Sequence, residues 1–286
     1  MLPCKQTFAA IGTTWQIESL EPLGNALLSD IKDCIEQFDK TYSRFRPDSL
    51  VSAVANQAGT YVFTDDSIEL MQFYRALYDI TDGNVTPLIG STLVNAGYDA
   101  DYSFEQKKQI ALPTWDKAMS WQGATVTTYQ PINIDIGAAG KGYLIDKISR
   151  LLQLHDIDEY VIDASGDLLH KGMSENIVGL EHPYDATKII GTVEIQNASI
   201  CASASNKRVW GDGMHHIFDP YTMQPVRAIV ATWAIGENAM IADGIATALF
   251  FTSPEKLLEK FDFHYLRMHD DGSVDYSSEF MGELFI

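Results

Sequence analysis

The chain has 286 residues, with 39 acidic against 20 basic side chains and a formal charge of −19. Such a surplus repels a phosphate backbone, so a nucleic acid is excluded as a partner, but not a nucleotide carried in with a divalent cation. No apolar run reaches membrane-spanning length, and the size allows one large domain over residues 1–286, with a substantial core.

Cys4, Cys34 and Cys201 form no CxxC pair and leave an odd count, which fits free thiols in a reducing compartment. Leu2, Pro3 and Cys4 faintly resemble the end of a lipoprotein signal. No charged start and apolar run precede them. The expectation is therefore a cytoplasmic protein, with an extracytoplasmic one as the alternative if a leader has been cut away.

Residues 8–17 predict a first strand, with Gly12 as a point of close approach. Residues 21–42 predict a helix, with Leu27, Ile31, Ile35 and Phe38 on one face. Pro47 and Asp48 make a turn, and Asp48 or Ser49 caps a short helix after it. Arg44, Phe45 and Arg46 set an aromatic between two cations. That trio is either a contact for a ring and a phosphate or a salt-bridged corner. Residues 61–64 predict a short strand, and Asp65 or Asp66 caps a helix over 67–81. Residues 82–98, rich in Gly, Asn, Thr and Pro, predict an extended, irregular wall. There Ala96, Gly97 and Tyr98 offer backbone groups and one ring to a flat ligand. Residues 99–114 read as polar surface. Residues 124–128 predict a strand that pairs with 133–136 across a turn at Gln130 and Pro131.

Residues 133–146 read NIDIGAAGKGYLID. The pattern is a strand end, a small-residue run with Lys141, then an amphipathic helix carrying Leu144, Ile148, Leu151 and Leu152. Small residues let a ligand approach the backbone, and free amides at a helix start attract phosphate. Neither common phosphate motif is present. Gly142 stands where a P-loop has Ser or Thr, and Gly137, Gly140 and Gly142 are out of step with GxGxxG. The plainer alternative is a tight turn that needs small residues for packing.

Strands follow at 160–164 and 168–171, around a turn at Ser165, Gly166 and Asp167, then at 177–180, 192–196 and 229–235. SICASAS at 199–205 is another small-residue run. Lys207, Arg208 and Trp210 put a ring near two cations, either an anion site or a strand edge, and a glycine-rich turn follows. A helix is predicted over 238–251. Strands and helices do not alternate strictly, so the class is α+β, with mixed or antiparallel sheets and packed helices.

Two constellations carry chemistry. Asp243 and Thr247, four apart on an apolar helix, present two oxygens on one face. They suit a hard cation such as magnesium; alternatively Asp243 caps a neighbour and Thr247 bonds its own helix. His215 and His216 precede Asp219 and Pro220. Adjacent side chains on an extended segment diverge, so one imidazole can serve as a general base while Asp219 holds the loop or the ring. A surface histidine pair beside a turn is the other reading.

In their order along residues 8–252 these segments resemble the ApbE-type FAD:protein FMN transferases. AIGTTW is similar to the family's AMGT strand, GNVTPLIG to its FDpTvgpL segment, and DIGAAGKGYLID to DLGGIAKGyavD. IDASGDLLHKG resembles vnaGGDi, CASASNKRVW with HHIFDPYTMQPV resembles TSG-x-R with HIIDPrTGxP, and ADGIATALF resembles aDalaTAl. The resemblance implies a fold of two lobes around a central FAD cleft. It implies magnesium held by the Ala138 carbonyl, Asp243 and Thr247. It implies FAD contacts from Ile11, Phe45, Ala96, Gly97, Tyr98, Asp135, Lys141 and Ile217, with His216 as the base. The implied reaction moves FMN from FAD to a Thr or Ser hydroxyl of an acceptor flavoprotein bearing a D-G-A/S-T-like motif, releasing AMP. Hydrolysis of FAD to FMN and AMP, or flavin binding without turnover, are the alternatives. Three glycines of the family pattern are missing, at Ser165, in Ser203–Ala204–Ser205, and at Met223.

Overall fold

The computed structural model describes residues 2–211 and 213–285. In chain order it begins with β1 (Cys4–Ala10), β2 (Thr13–Ser19), α1 (Asn25–Tyr42), α2 (Leu50–Asn56), β3 (Thr60–Val62) and α3 (Ser67–Ile80). A 3₁₀ turn (Pro87–Ile89), α4 (Gly90–Asn95), α5 (Trp115–Ala118), β4 (Met119–Gln122), β5 (Thr125–Thr128) and α6 (Gly140–Leu154) follow. Next come β6 (Tyr160–Asp163), β7 (Leu168–Lys171), β8 (Asn176–His182), β9 (Asp185–Ile195) and β10 (Ser199–Ala204). The short pairs β11 (Val209–Trp210), β12 (Met214–His215), β13 (Phe218–Asp219) and β14 (Gln224–Pro225) lead to β15 (Ile229–Gly236). The chain closes with α7 (Ala239–Ala248), α8 (Pro254–Leu258), β16 (His264–His269), β17 (Val274–Tyr276) and β18 (Gly282–Leu284). The class is α+β, as the sequence predicts. No helix among the described residues is long and apolar enough to cross a membrane.

The chain divides into two compact units. The first takes Met1–Ile35, Ala139–Asn206 and Arg227–Ile286. Its main sheet has the order β1-β2-β6-β7-β10-β15-β16-β17, every pair antiparallel. Strand alternation sorts the two faces. Ile200, Val230, Trp233, Leu266 and Met268 join Leu180, Ile190 and Val193 of the β8–β9 hairpin in one apolar cluster. From the opposite face Cys201 reaches the Ala239 carbonyl (3.5 Å) and Thr232 donates to the Ala246 carbonyl (2.6 Å), so α7 lies there. Ala239, Ala242, Gly244, Ala246 and Ala248 of α7 are buried, and such small residues let the helix lie close.

Residues 8–17 are a hairpin rather than one strand. Ile11 (φ 43°) and Gly12 (φ 77°) form its two-residue turn, between Ala10 paired with Thr13. Gly12 meets nothing within 4 Å on its open side, so it serves the turn and not a close approach.

The second unit takes Glu36–Ala138 and Lys207–Val226. Its sheet has the order β3-β5-β4. Ser49 caps α2 by accepting from the Ser52 amide at 3.1 Å, as the turn chemistry predicts. Asp66 stands at the start of α3 without a side-chain cap bond. Residues 82–98 are not an extended wall: Pro87 opens the 3₁₀ turn and α4 continues from it. Residues 133–136 form no strand. The central strand β5 already has β3 on one side and β4 on the other, so no ladder edge is left for them. They run extended, with the Asp135 amide donating to the Pro87 carbonyl at 2.8 Å and the Asn133 carbonyl against Gly90.

Candidate functional site

In the first unit, α6 and α7 cross so closely that glycine is obligatory. A Cβ on Gly142 would lie 2.0 Å from the Ala239 carbonyl oxygen and 2.8 Å from Asp243 Cβ. The Gly142 amide instead donates to Asp243 Oδ2 at 2.9 Å. Asp146, one turn further along α6, accepts from the Ala239 and Met240 amides at 2.9 and 2.8 Å. Those are orphan donors at the start of α7, where an anion is favoured. The turn-and-packing alternative for the small-residue run thus describes Gly142 and Asp146.

Lys141 points to Asp167, with Nζ 2.6 Å from Oδ2, and Asp167 Oδ1 accepts from the Ala202 amide at 3.0 Å. Asp167 is 1 % exposed, Asp243 4 % and Asp146 7 %. Burial would lower the Lys141 pKa, but the charges of Asp167 and Asp243 overcome it and the pKa is raised. Cys201 lies among these groups; burial first, then Asp167 and Asp243, push its thiol well up, so it stays protonated. Thr247 Oγ1 lies 3.5 Å from Ser203 Oγ. The hard oxygens of Asp243 and Thr247 are of the kind that suits a divalent cation such as magnesium. Among the described residues no group of three or more His, Cys, Asp or Glu is placed to hold a metal ion. Ile11, the other expected FAD contact in this unit, sits in left-handed backbone, which is exceptional for a β-branched residue.

In the second unit, Arg44 organises the expected FAD residues. Its Nε donates to Asp135 Oδ2 and its Nη1 to the Tyr98 carbonyl at 2.8 Å. Its guanidinium carbon lies 4.2 Å over the Phe45 ring and 4.9 Å over the Tyr98 ring. Nη2 is buried with no hydrogen-bond partner among the described residues. The other Asp135 oxygen accepts from the Gly137 amide at 2.7 Å. Gly97 (φ 95°) passes the Phe104 backbone so closely that a Cβ would lie 2.6 Å from it. The Ala96 carbonyl accepts from Trp210 Nε1 at 2.9 Å. The rings pile up from there. Tyr98 and Trp210 stack at 5.5 Å, Trp210 and Phe218 at 6.4 Å, and Phe45 and Tyr102 at 5.5 Å with planes 5° apart. Residues 99–114 are thus more than polar surface, since Tyr102 and Phe104 belong to the ring cluster.

The two histidines diverge as extended backbone requires. His215 accepts from the Ile217 amide through Nδ1 (3.3 Å), which leaves Nε2–H to donate to the Val226 carbonyl (2.9 Å). His215 therefore holds the loop, and Ile217 is buried beside it. His216 donates through Nδ1 to the Lys207 carbonyl at 3.1 Å, which leaves its Nε2 lone pair. Burial, then Arg208 and His215, lower its pKa to about 3, so the ring is neutral. Asp219 serves the loop rather than either imidazole, accepting from the Tyr221 and Thr222 amides. Asp212, inside the glycine-rich turn, lies outside the described residues.

The expected residues thus fall in two groups: Ile11, Lys141, Asp243 and Thr247 in the first unit, and Phe45, Ala96, Gly97, Tyr98, Asp135, Ala138, His216 and Ile217 in the second. Sequence reasoning missed Asp167 as the partner of Lys141, Arg44 as the clamp on Asp135, and the ring role of Tyr102. The first was within reach, since Asp167 closes the small-residue turn of IDASGD. Two missing glycines leave their mark: Ser165 (φ 59°) and Met223 (φ 56°) keep the left-handed backbone that glycine adopts freely.

The fold is that of the flavin-transferase class of α+β proteins. The sequence matches the ApbE family over residues 11–266, and the chain belongs to that family. A FAD:protein FMN transferase of Treponema pallidum is 28 % identical, over 81 % of this chain and 73 % of its own. One of Vibrio cholerae is 24 % identical, over 94 % of this chain and 88 % of its own. The solved ApbE protein of Thermotoga maritima superposes with a TM-score of 0.81 at 20 % identity, covering 96 % of this chain and 97 % of its own. The flavin transferase ApbE of Vibrio cholerae does so with a TM-score of 0.79 at 19 % identity, covering 97 % of each chain.

Proposed function

We propose that this protein is a FAD:protein FMN transferase that uses His216 as its general base. Family membership over residues 11–266 supports the reaction class. The observation that carries the role of His216 is its tautomer: Nδ1 is tied to the Lys207 carbonyl, and neutral Nε2 keeps its lone pair. The acceptor hydroxyl oxygen attacks the phosphorus on the FMN side of FAD. One oxygen–phosphorus bond forms, the bond to AMP breaks, and the hydroxyl proton goes to His216 Nε2. A pKa near 3 makes a weak base in the free protein, and the negative charge of the substrate raises it on binding. Asp243 and Thr247 would hold magnesium, which would supply charge neutralisation at the diphosphate and the leaving oxygen. Asp135, already oriented by Arg44, and Lys141, already oriented by Asp167, are fixed to meet FAD without losing further side-chain freedom. The acceptor is a protein carrying a D-G-A/S-T-like segment.

The test is mass spectrometry of such an acceptor after incubation with FAD and magnesium. The expected result is one added FMN per acceptor and one AMP released. AMP release at the same rate without acceptor points to hydrolysis instead, and neither product overturns the reading.

A further inference from the structure

We propose that Arg208 binds the phosphate being transferred, as the cation that faces His216. This rests on the transferase reading above. Three observations place it. Its neighbours in sequence are both anchored to the histidine segment: Lys207 accepts from His216, and Val209 pairs with His215 in the β11–β12 ladder. Arg208 thus roots opposite His216. Its backbone is left-handed, φ 53°, which a non-glycine residue adopts only when its surroundings impose it. Its side chain is exposed, and among the described residues no hydrogen bond or ion pair holds the guanidinium. Arg44, Arg46, Arg75 and Arg267, by contrast, each hold a carboxylate.

The charge of Arg208 is felt at both His216 and Tyr98, where it works to lower each pKa. The groups acting on His216 are Arg208 and His215, which disfavour its protonation, and Asp135 and the Lys207 carbonyl, which favour it. Burial does most to keep the imidazole neutral, and the guanidinium opposite adds to it before substrate arrives. A phosphate seated on that guanidinium cancels its charge, so His216 gains basicity when a phosphoryl group is in place. The planar fork of arginine suits two phosphate oxygens at once, and lysine offers only a point charge.

Arg208→Ala and Arg208→Lys test this against the wild type, with FMN transfer followed by mass spectrometry and FAD binding by calorimetry. For Arg208→Ala the expected loss in kcat/KM is roughly 10- to 100-fold, the usual scale for a lost charge-assisted contact, with weaker FAD binding and an unchanged Tm. The acid limb of kcat/KM should move to higher pH, because removing the cation raises the His216 pKa. Arg208→Lys should restore the position of that limb but only part of the rate. Wild-type kcat/KM and an unmoved acid limb in Arg208→Ala would overturn the proposal. Should the wild type attach no FMN, the transferase reading fails by itself, and FAD bound equally well by wild type and Arg208→Ala would then sink this inference separately.

Discussion

The two units are built from different materials. The first gathers the buried Asp146, Asp167, Asp243 and Cys201 around a half-buried Lys141 and ties them to backbone amides and one another. The second gathers Phe45, Tyr98, Tyr102, Trp210 and Phe218 into a pile of rings, with the Arg44 guanidinium over two of them. Buried carboxylates are tolerable only with partners, so the first group is rigid and specific for charge. Stacked rings tolerate sliding and rotation, so the second suits a flat ligand of any charge.

The sharpest way to break this contrast is at Asp243. Asp243→Asn keeps an acceptor for the Gly142 amide but removes the charge. Transfer should fall roughly 10³-fold, equivalent to several kcal/mol of charge stabilisation, with little change in Tm. Mass spectrometry of the acceptor reads the first and thermal melting the second; undiminished transfer would take Asp243 out of the site. Gly142→Ala comes next and strikes the packing of α6 on α7. The new methyl meets the Ala239 carbonyl, and overpacking of this kind costs about 3 kcal/mol, readable in urea denaturation.

The second unit is tested through pH. His216 is held neutral, with its pKa lowered from the ordinary 6.5 to about 3 by burial, Arg208 and His215. The unfolded chain takes up the proton first as pH falls. The contribution of the neutral ring to stability is therefore fully present above pH 6.5 and is lost as pH drops from 6.5 towards 3. Replacing His216 with Asn should flatten the urea midpoint against pH within that window. For turnover, the acid limb of kcat/KM should lie well below pH 6.5, and that of kcat above it, because bound substrate raises the pKa. The smallest effects come from backbone strain. Met223→Gly and Ile11→Gly should each gain about 0.5–1 kcal/mol, the relief of a left-handed side chain less the added freedom of the unfolded glycine. Only Ile11→Gly should weaken FAD binding in calorimetry; equal binding in both would remove Ile11 from the site.

Much of this was readable in the chain beforehand. Helical spacing put Asp243 and Thr247 on one face, and extended alternation sent His215 and His216 apart, because both follow from local geometry. Strand partners were not readable. Residues 133–136 have strand-like alternation, but the edge they needed was already taken by β4. Lys141 and Asp167 meet only because the β6–β7 hairpin returns beside β10, a tertiary fact without a local signature. The crossing at Gly142 looked like a phosphate loop, since both ask for small residues and only the distance to Ala239 tells them apart.

The clamp that Asp146 places on the first two amides of α7 has a consequence for tolerated changes in chain length. With the start of that helix fixed, each residue inserted or deleted between Met240 and Asp243 would swing everything beyond it by about 100° around the axis. Insertions are therefore barred from this short stretch, while the exposed turn at Gly272 can lengthen freely.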